Sequence, residues 1–181
     1  MKGLDVQTLQ KFLKIAGDRL HGNWVVMGGT VLPLLGNPIR STVDIDLAGP
    51  SQASQKDTLI LMEIAEELGL PVETINQAGA FFLFQIKGWE NKVVELHKGK
   101  TAVFFRPNVD LFLELKIHRL NESDLSDCLA FLSFASKKGE KANRNHLMKL
   151  IKGEMKNLGK SEGSEPKKKR LDTLLSAVDS I

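Results

Sequence analysis

The sequence predicts an α+β fold, a mixed β-sheet core flanked by helices and followed by a helical C-terminal part. Three observations predict it. Short runs rich in β-formers, such as WVVM at 24–27 and TVDIDLAG at 42–49, interleave with amphipathic stretches over roughly the first hundred residues. From Asp110 onward the apolar spacing turns helical and stays helical. The composition is that of a soluble domain, 42% hydrophobic and 26% charged, and its longest apolar runs fall far short of a membrane span.

The elements follow in order. Asp5 is placed to cap a helix running to about Leu20, with Val6, Leu9, Phe12, Leu13, Ala16 and Leu20 on one stripe. This stretch reads as an amphipathic helix, not a secretory signal. WVVM is the first strand. Thr30 to Leu35 is a short helix, in which Pro33 is tolerated because it falls in the first turn. TVDIDLAG is the second strand, with Val43, Ile45 and Leu47 expected to face the core. QKDTLILMEIAEELG is a helix stopped by Gly69. PVETI suggests a short strand. AFFLFQIK and VVELH read as a hairpin around GWENK, and TAVFF as an added edge. Further helices follow within 109–120, 123–138 and 142–159. The predicted organisation is a domain over 1–158 (sheet core about 23–106, helical part about 109–158), a flexible linker over 159–169 and a short C-terminal helix over 170–181. Removing 159–181 is then expected to leave the fold intact.

Charge is uneven. Residues 137–181 hold 12 Lys or Arg against 6 Asp or Glu, a balance of +6, which leaves −3 on the body. The basic tail is either a solvated face or a nucleic-acid contact. The single cysteine, Cys128, cannot form an internal disulfide, so a cytoplasmic setting is expected and the thiol reads as a core residue. The four histidines lack zinc-site spacing, and no Gly-Lys-Ser/Thr follows the glycines to make a P-loop. The Phe residues read as core and the two Trp as packing groups, so no aromatic RNA platform is expected.

The chemistry concentrates in GGTVLPLLGNPIRSTVDIDLAG, residues 28–49. Asp44 and Asp46 are two apart on a strand, so both carboxylates leave one face, where like charges repel unless a cation pairs them. Mg²⁺, or Mn²⁺, suits such oxygen ligands. Gly28 and Gly29 permit close approach of a ligand to the backbone. The following helix start offers amides to phosphate, and Thr30 a hydroxyl. Arg40 either contacts phosphate or is an exposed turn residue.

The ordered set VVMGGTVLPLLGNPIRSTVDIDL resembles the nucleotidyltransferase superfamily with the polymerase-β-type fold, closest to the small prokaryotic branch that includes minimal nucleotidyltransferases and AbiEii-like toxins. LELKIHRLNESDLSDCLAFL resembles the Lys-x-x-Arg and Asp-x-x-Asp helices of that branch. The resemblance spans roughly 23–135. It implies Mg²⁺ on Asp44, Asp46 and a third acid. Glu95 in VVELH fills that role, with Glu73 as its competitor and His97 as a neighbour on the same strand face. It implies a nucleoside triphosphate over Gly28, Gly29 and Thr30, with Lys116 reaching the triphosphate or leaving pyrophosphate and Arg119 assisting. The alternative for Lys116 and Arg119 is an ion-pair cluster with Asp124 and Asp127 that staples two helices. The implied acceptor is a hydroxyl of tRNA, another RNA or a protein, and the implied partner an antitoxin. Two other readings stand beside it: a non-catalytic nucleotide-binding module of the same fold, and an RNA-binding protein driven by the basic tail.

Overall fold

The computed structural model describes residues 4–37, 42–50, 54–158 and 164–180. They divide into two units, 1–107 and 108–181.

In the first unit, helix α1 (Val6–Arg19) starts where the Asp5 carboxylate accepts from the Thr8 amide at 2.7 Å. Its buried stripe is Leu9, Phe12, Leu13 and Ala16. Five strands form one mixed sheet: β1 (Gly22–Val26), β2 (Ile45–Ala48), β3 (Ile75–Asn76), β4 (Val93–Lys98) and β5 (Ala102–Pro107), in the order β3-β2-β1-β5-β4. β1 runs antiparallel to β2 and parallel to β5, β2 is parallel to β3, and β4 is antiparallel to β5. Trp24, Val25 and Val26 are consecutive and all buried, because central β1 is covered on both faces. Trp24 stacks on Phe104 and donates its indole N–H to the His21 carbonyl, a packing role. Helix α2 (Val31–Leu34) follows β1, and helix α3 (Gln55–Glu67) follows β2. A reciprocal Ser54–Asp57 capping box starts α3, and Gly69 in the left-handed region ends it.

Three expectations change here. AFFLF is a helix, α4 (Ala80–Gln85), not a strand. A run of apolar residues carries no phase of its own; here the chain winds so that only Leu83 is fully buried, and Phe81, Phe82 and Phe84 are exposed by 66%, 62% and 44%. The hairpin is therefore β4–β5, closed by the Gly99 amide donating to the Ala102 carbonyl, and the TAVFF run lies inside the sheet, not at its edge. Gly99 is fixed by proximity: a Cβ there would lie 2.2 Å from the Gly17 backbone of α1. Val43 precedes β2 and is 37% exposed, so it does not join Ile45 and Leu47 in the core.

The second unit holds α5 (Val109–Ile117), α6 (Glu122–Lys138), α7 (Arg144–Asn157) and α8 (Ser164–Asp179). Asn108, Asn121 and Asn143 cap the first three, each side chain accepting a first-turn amide. Phe112 and Phe131 meet edge to face at 4.5 Å in a core that also buries Cys128, Leu147 and Ile151. Helix α8 begins inside the stretch expected as a linker; 159–163 lie outside the described residues. It packs on α6 and α7, burying Leu171, Leu174 and Val178 completely. Lys167 donates to Glu154, and Arg170 to Glu122 and the Leu120 carbonyl. This docking argues against a dispensable tail, because its apolar face lies in the core of the second unit. Ending the chain before Ser164 removes three buried aliphatic side chains, worth about 1.5–3 kcal/mol each. Urea unfolding is expected to show a loss on the order of 5 kcal/mol, near the total stability of a domain.

Candidate active site

The site is built where β1 turns back to β2. The β1–β2 register pairs Val25 with Ala48 and Val26 with Leu47, and the Met27 amide donates to the Asp46 carbonyl at 2.8 Å. That pairing brings the chain after β1 directly under Asp46. Gly28, at φ +59°, opens a short 3-10 turn, Gly28–Thr30. A Cβ on Gly28 would lie 1.9 Å from Asp46 Oδ2, so the glycine both adopts the left-handed backbone and vacates the space the carboxylate fills. Gly28→Ala is expected to push the Asp46 side chain out of place. The expected cost is about 1–3 kcal/mol of stability from the backbone alone, seen as a lower melting midpoint, together with loss of any activity that needs Asp46.

Ile45 and Leu47 are buried at 1% and 0%; Asp46 alternates with them on β2, and Asp44, the residue before the strand, is half-buried like Asp46. The Thr30 hydroxyl, itself buried, accepts from the Asp46 amide at 3.2 Å and donates to the Asp44 carbonyl at 2.9 Å. Thr42 donates to the same carbonyl at 3.1 Å. Thr30 therefore braces the backbone that carries both aspartates; its hydroxyl proton is spent there, which corrects the expectation that it faces a nucleotide. α2 is only four residues long, shorter than expected. Its dipole is correspondingly small, so the turn's backbone matters more than the helix.

A residue the sequence reading missed completes the arrangement. Asn76 on β3 pairs with Asp46 across the parallel ladder and donates its side-chain N–H to Asp46 Oδ1 at 2.7 Å. Its own carbonyl oxygen accepts from the Ala78 amide at 3.0 Å, which fixes the amide's orientation. VETIN holds a two-residue strand, too short for periodicity to mark Asn76.

Other expected site residues lie elsewhere. Glu95 is exposed on β4, with β5 and β1 between it and β2, about 14 Å away at ordinary strand spacing. It does not join Asp44 and Asp46, which corrects its assignment as a metal ligand. A bulge between Glu95 and His97 also breaks their common face, and His97 turns toward Gly17 of α1. Glu73 is exposed in a 3-10 turn. Arg40 lies outside the described residues. Among those described, no three His, Cys, Asp or Glu side chains stand close enough to hold a metal ion.

Lys116 and Arg119 belong to the second unit. Lys116, 6% exposed, donates to Asp124 Oδ1 and Asp127 Oδ2, each at 2.9 Å, and its ammonium lies 5.3 Å from the centre of the Phe112 ring. Arg119 donates twice to Asp124, both at 2.7 Å, from a side chain 71% exposed. Burial alone raises the Asp124 carboxyl; the hydrogen bonds of Arg119 and the charge and hydrogen bond of Lys116 outweigh it and hold the group at about 2. This is the ion-pair alternative of the sequence reading, buried at its centre. It leaves the Lys116 ammonium held by two carboxylates.

Residues 4–162 match the protein family described as a nucleotidyltransferase of unknown function (DUF6036), and the chain belongs to it. Neither the curated proteins nor the solved structures contain a significant match. No helix among the described residues is long and apolar enough to cross a membrane.

Proposed function

We propose that the chain is a metal-dependent nucleotidyltransferase that moves a nucleoside monophosphate from a triphosphate to an RNA or protein hydroxyl. The observation that carries this reading is the Asp46 carboxylate seated over the left-handed Gly28, with Asp44 two residues before it at the entry to β2. The donor set fits a hard divalent cation: Mg²⁺, or Mn²⁺, takes one or two protein carboxylates and completes its shell with water and substrate phosphates, so a third protein acid is not required. Asp44 and Asp46 would hold the ion, which when bound supplies charge neutralisation to the triphosphate and leaving group. The missing side chain of Gly28 makes room for Asp46, and Gly29 with the amides of the turn would admit the triphosphate close to the backbone. Asn76 keeps Asp46 in its rotamer. The acceptor oxygen attacks the α-phosphorus and its proton passes to Asp44, since Asp46 Oδ1 already accepts from Asn76. The bond to the bridging oxygen breaks, and pyrophosphate leaves with the electron pair.

The test is incubation with α-labelled nucleoside triphosphates, Mg²⁺ and total RNA. Label in RNA or in a protein band, with pyrophosphate released and no transfer in EDTA, is the expected result. Nucleotide binding without transfer selects the second reading, a non-catalytic module of the same fold. Resemblance to the toxin branch further suggests a cytoplasmic toxin held by a separate antitoxin. Co-expression that relieves growth arrest would identify that partner.

A further inference from the structure

We propose that α4 and the turn after it form a stacking platform for unpaired bases of a single-stranded RNA acceptor. Phe81 and Phe82 stand perpendicular with centroids 5.5 Å apart, and Phe84 lies 5.7 Å from Trp89. All three phenylalanines face solvent, while Leu83 alone anchors the helix in the core. The platform is joined to the site by a short chain of contacts. Asp46 is bonded to Asn76, Asn76 to the Ala78 amide, and Gly79 sits against the Met27 side chain, where an added Cβ would come within 3.0 Å. Two residues on, the rings begin.

The chemistry selects the occupant. Nearly all of the exposed apolar surface of α4 is aromatic, and every nucleobase offers a π-face to such rings. Between Gln77 and Lys92 the charged residues are Lys87, Glu90 and Lys92, with Lys87 exposed. This net charge of +1, with Lys87 exposed, complements a phosphate backbone. Two ring pairs suit successive bases of a strand more than a single nucleotide. The inference rests on the proposed transferase reading only for its location beside Asp46.

Fluorescence anisotropy with a labelled twelve-nucleotide oligouridine, in low salt and EDTA, tests it. The native chain should bind this strand more tightly than a hairpin duplex. The F81A/F82A/F84A variant should bind it at least roughly tenfold more weakly, given the usual worth of a base–aromatic stack. F81L/F82L/F84L, which keeps apolar bulk and removes the π-faces, should lose as much. The rings are exposed, so melting midpoints should match; the single F81A change, with a smaller expected loss, serves should either triple variant fail to fold. Binding unchanged by either triple variant, preference for duplex, absence of binding by the native chain, or a native dimer that dissociates in the alanine variant would overturn the proposal. Ring-dependent RNA binding without nucleotide transfer would instead sink the transferase reading and leave this one standing.

Discussion

Replacing both Asp44 and Asp46 with Asn is expected to abolish nucleotide transfer while leaving the melting midpoint in metal-free buffer unchanged or slightly raised. The substitution keeps shape. Asn at 46 still offers an oxygen to the Asn76 side chain, and the backbone bonds to Thr30, Thr42 and Met27 do not involve the replaced atoms. What is lost is two negative charges two residues apart, which repel each other without a cation. Removing the cation's ligands forfeits several kcal/mol of transition-state stabilisation, so the rate should fall by a factor on the order of 10³ or more. Millimolar Mg²⁺ with nucleotide should raise the midpoint of the native chain and not of the variant, because binding to the folded state stabilises it by mass action. A fall of several kcal/mol in metal-free stability would defeat the reading, even with activity lost, since it would mean the aspartates serve a structural ion pair.

Much of the site was legible because its signals are local. Two aspartates two residues apart around a strand are an expectation the sequence alone can form, and a glycine after a strand marks a backbone that other residues rarely follow, as Gly28 does. The cap at Asp5 is local too, as is the switch to helical spacing from Asp110. What failed was set by pairing at long range. VVELH alternates and carries an acid, but which strand lies beside β2 depends on sheet order, and that neighbour is β3 with Asn76, not β4 with Glu95. AFFLF has the composition of a strand, yet it winds as a helix with Leu83 buried and its rings outward, an outcome its local pattern does not carry. KSEGSEPKKKR is polar enough to read as a linker, yet Lys167 and Arg170 find Glu154, Glu122 and a carbonyl, and the apolar stripe behind them docks.

Lys116→Met is expected to destabilise the second unit by about 3–5 kcal/mol, because it leaves Asp124 and Asp127, both fully buried, without the cation between them. Methionine fills a similar volume, so the loss is electrostatic and not a cavity. Cys128 offers the readout. It is fully buried and burial pushes its thiol up to about 12, so alkylation at neutral pH proceeds only when the unit opens. The variant should be alkylated at least a hundredfold faster than the native chain, in proportion to the opened fraction. The pH dependence separates this role from a surface one. In the native chain Asp124 is held at about 2 against an ordinary value of 3.8. A carboxyl depressed in the folded state contributes stability fully above its unfolded value, so Asp124 supports the fold at neutral pH. That contribution, about 2 kcal/mol, disappears as pH falls from about 5 to 2. Without Lys116 the carboxyl loses a cation while burial still raises it, so the acid-side loss should begin at higher pH. A variant with native alkylation rates and an unmoved acid limb would show that the cluster does not hold these helices together, and would return Lys116 to the candidates for phosphate binding.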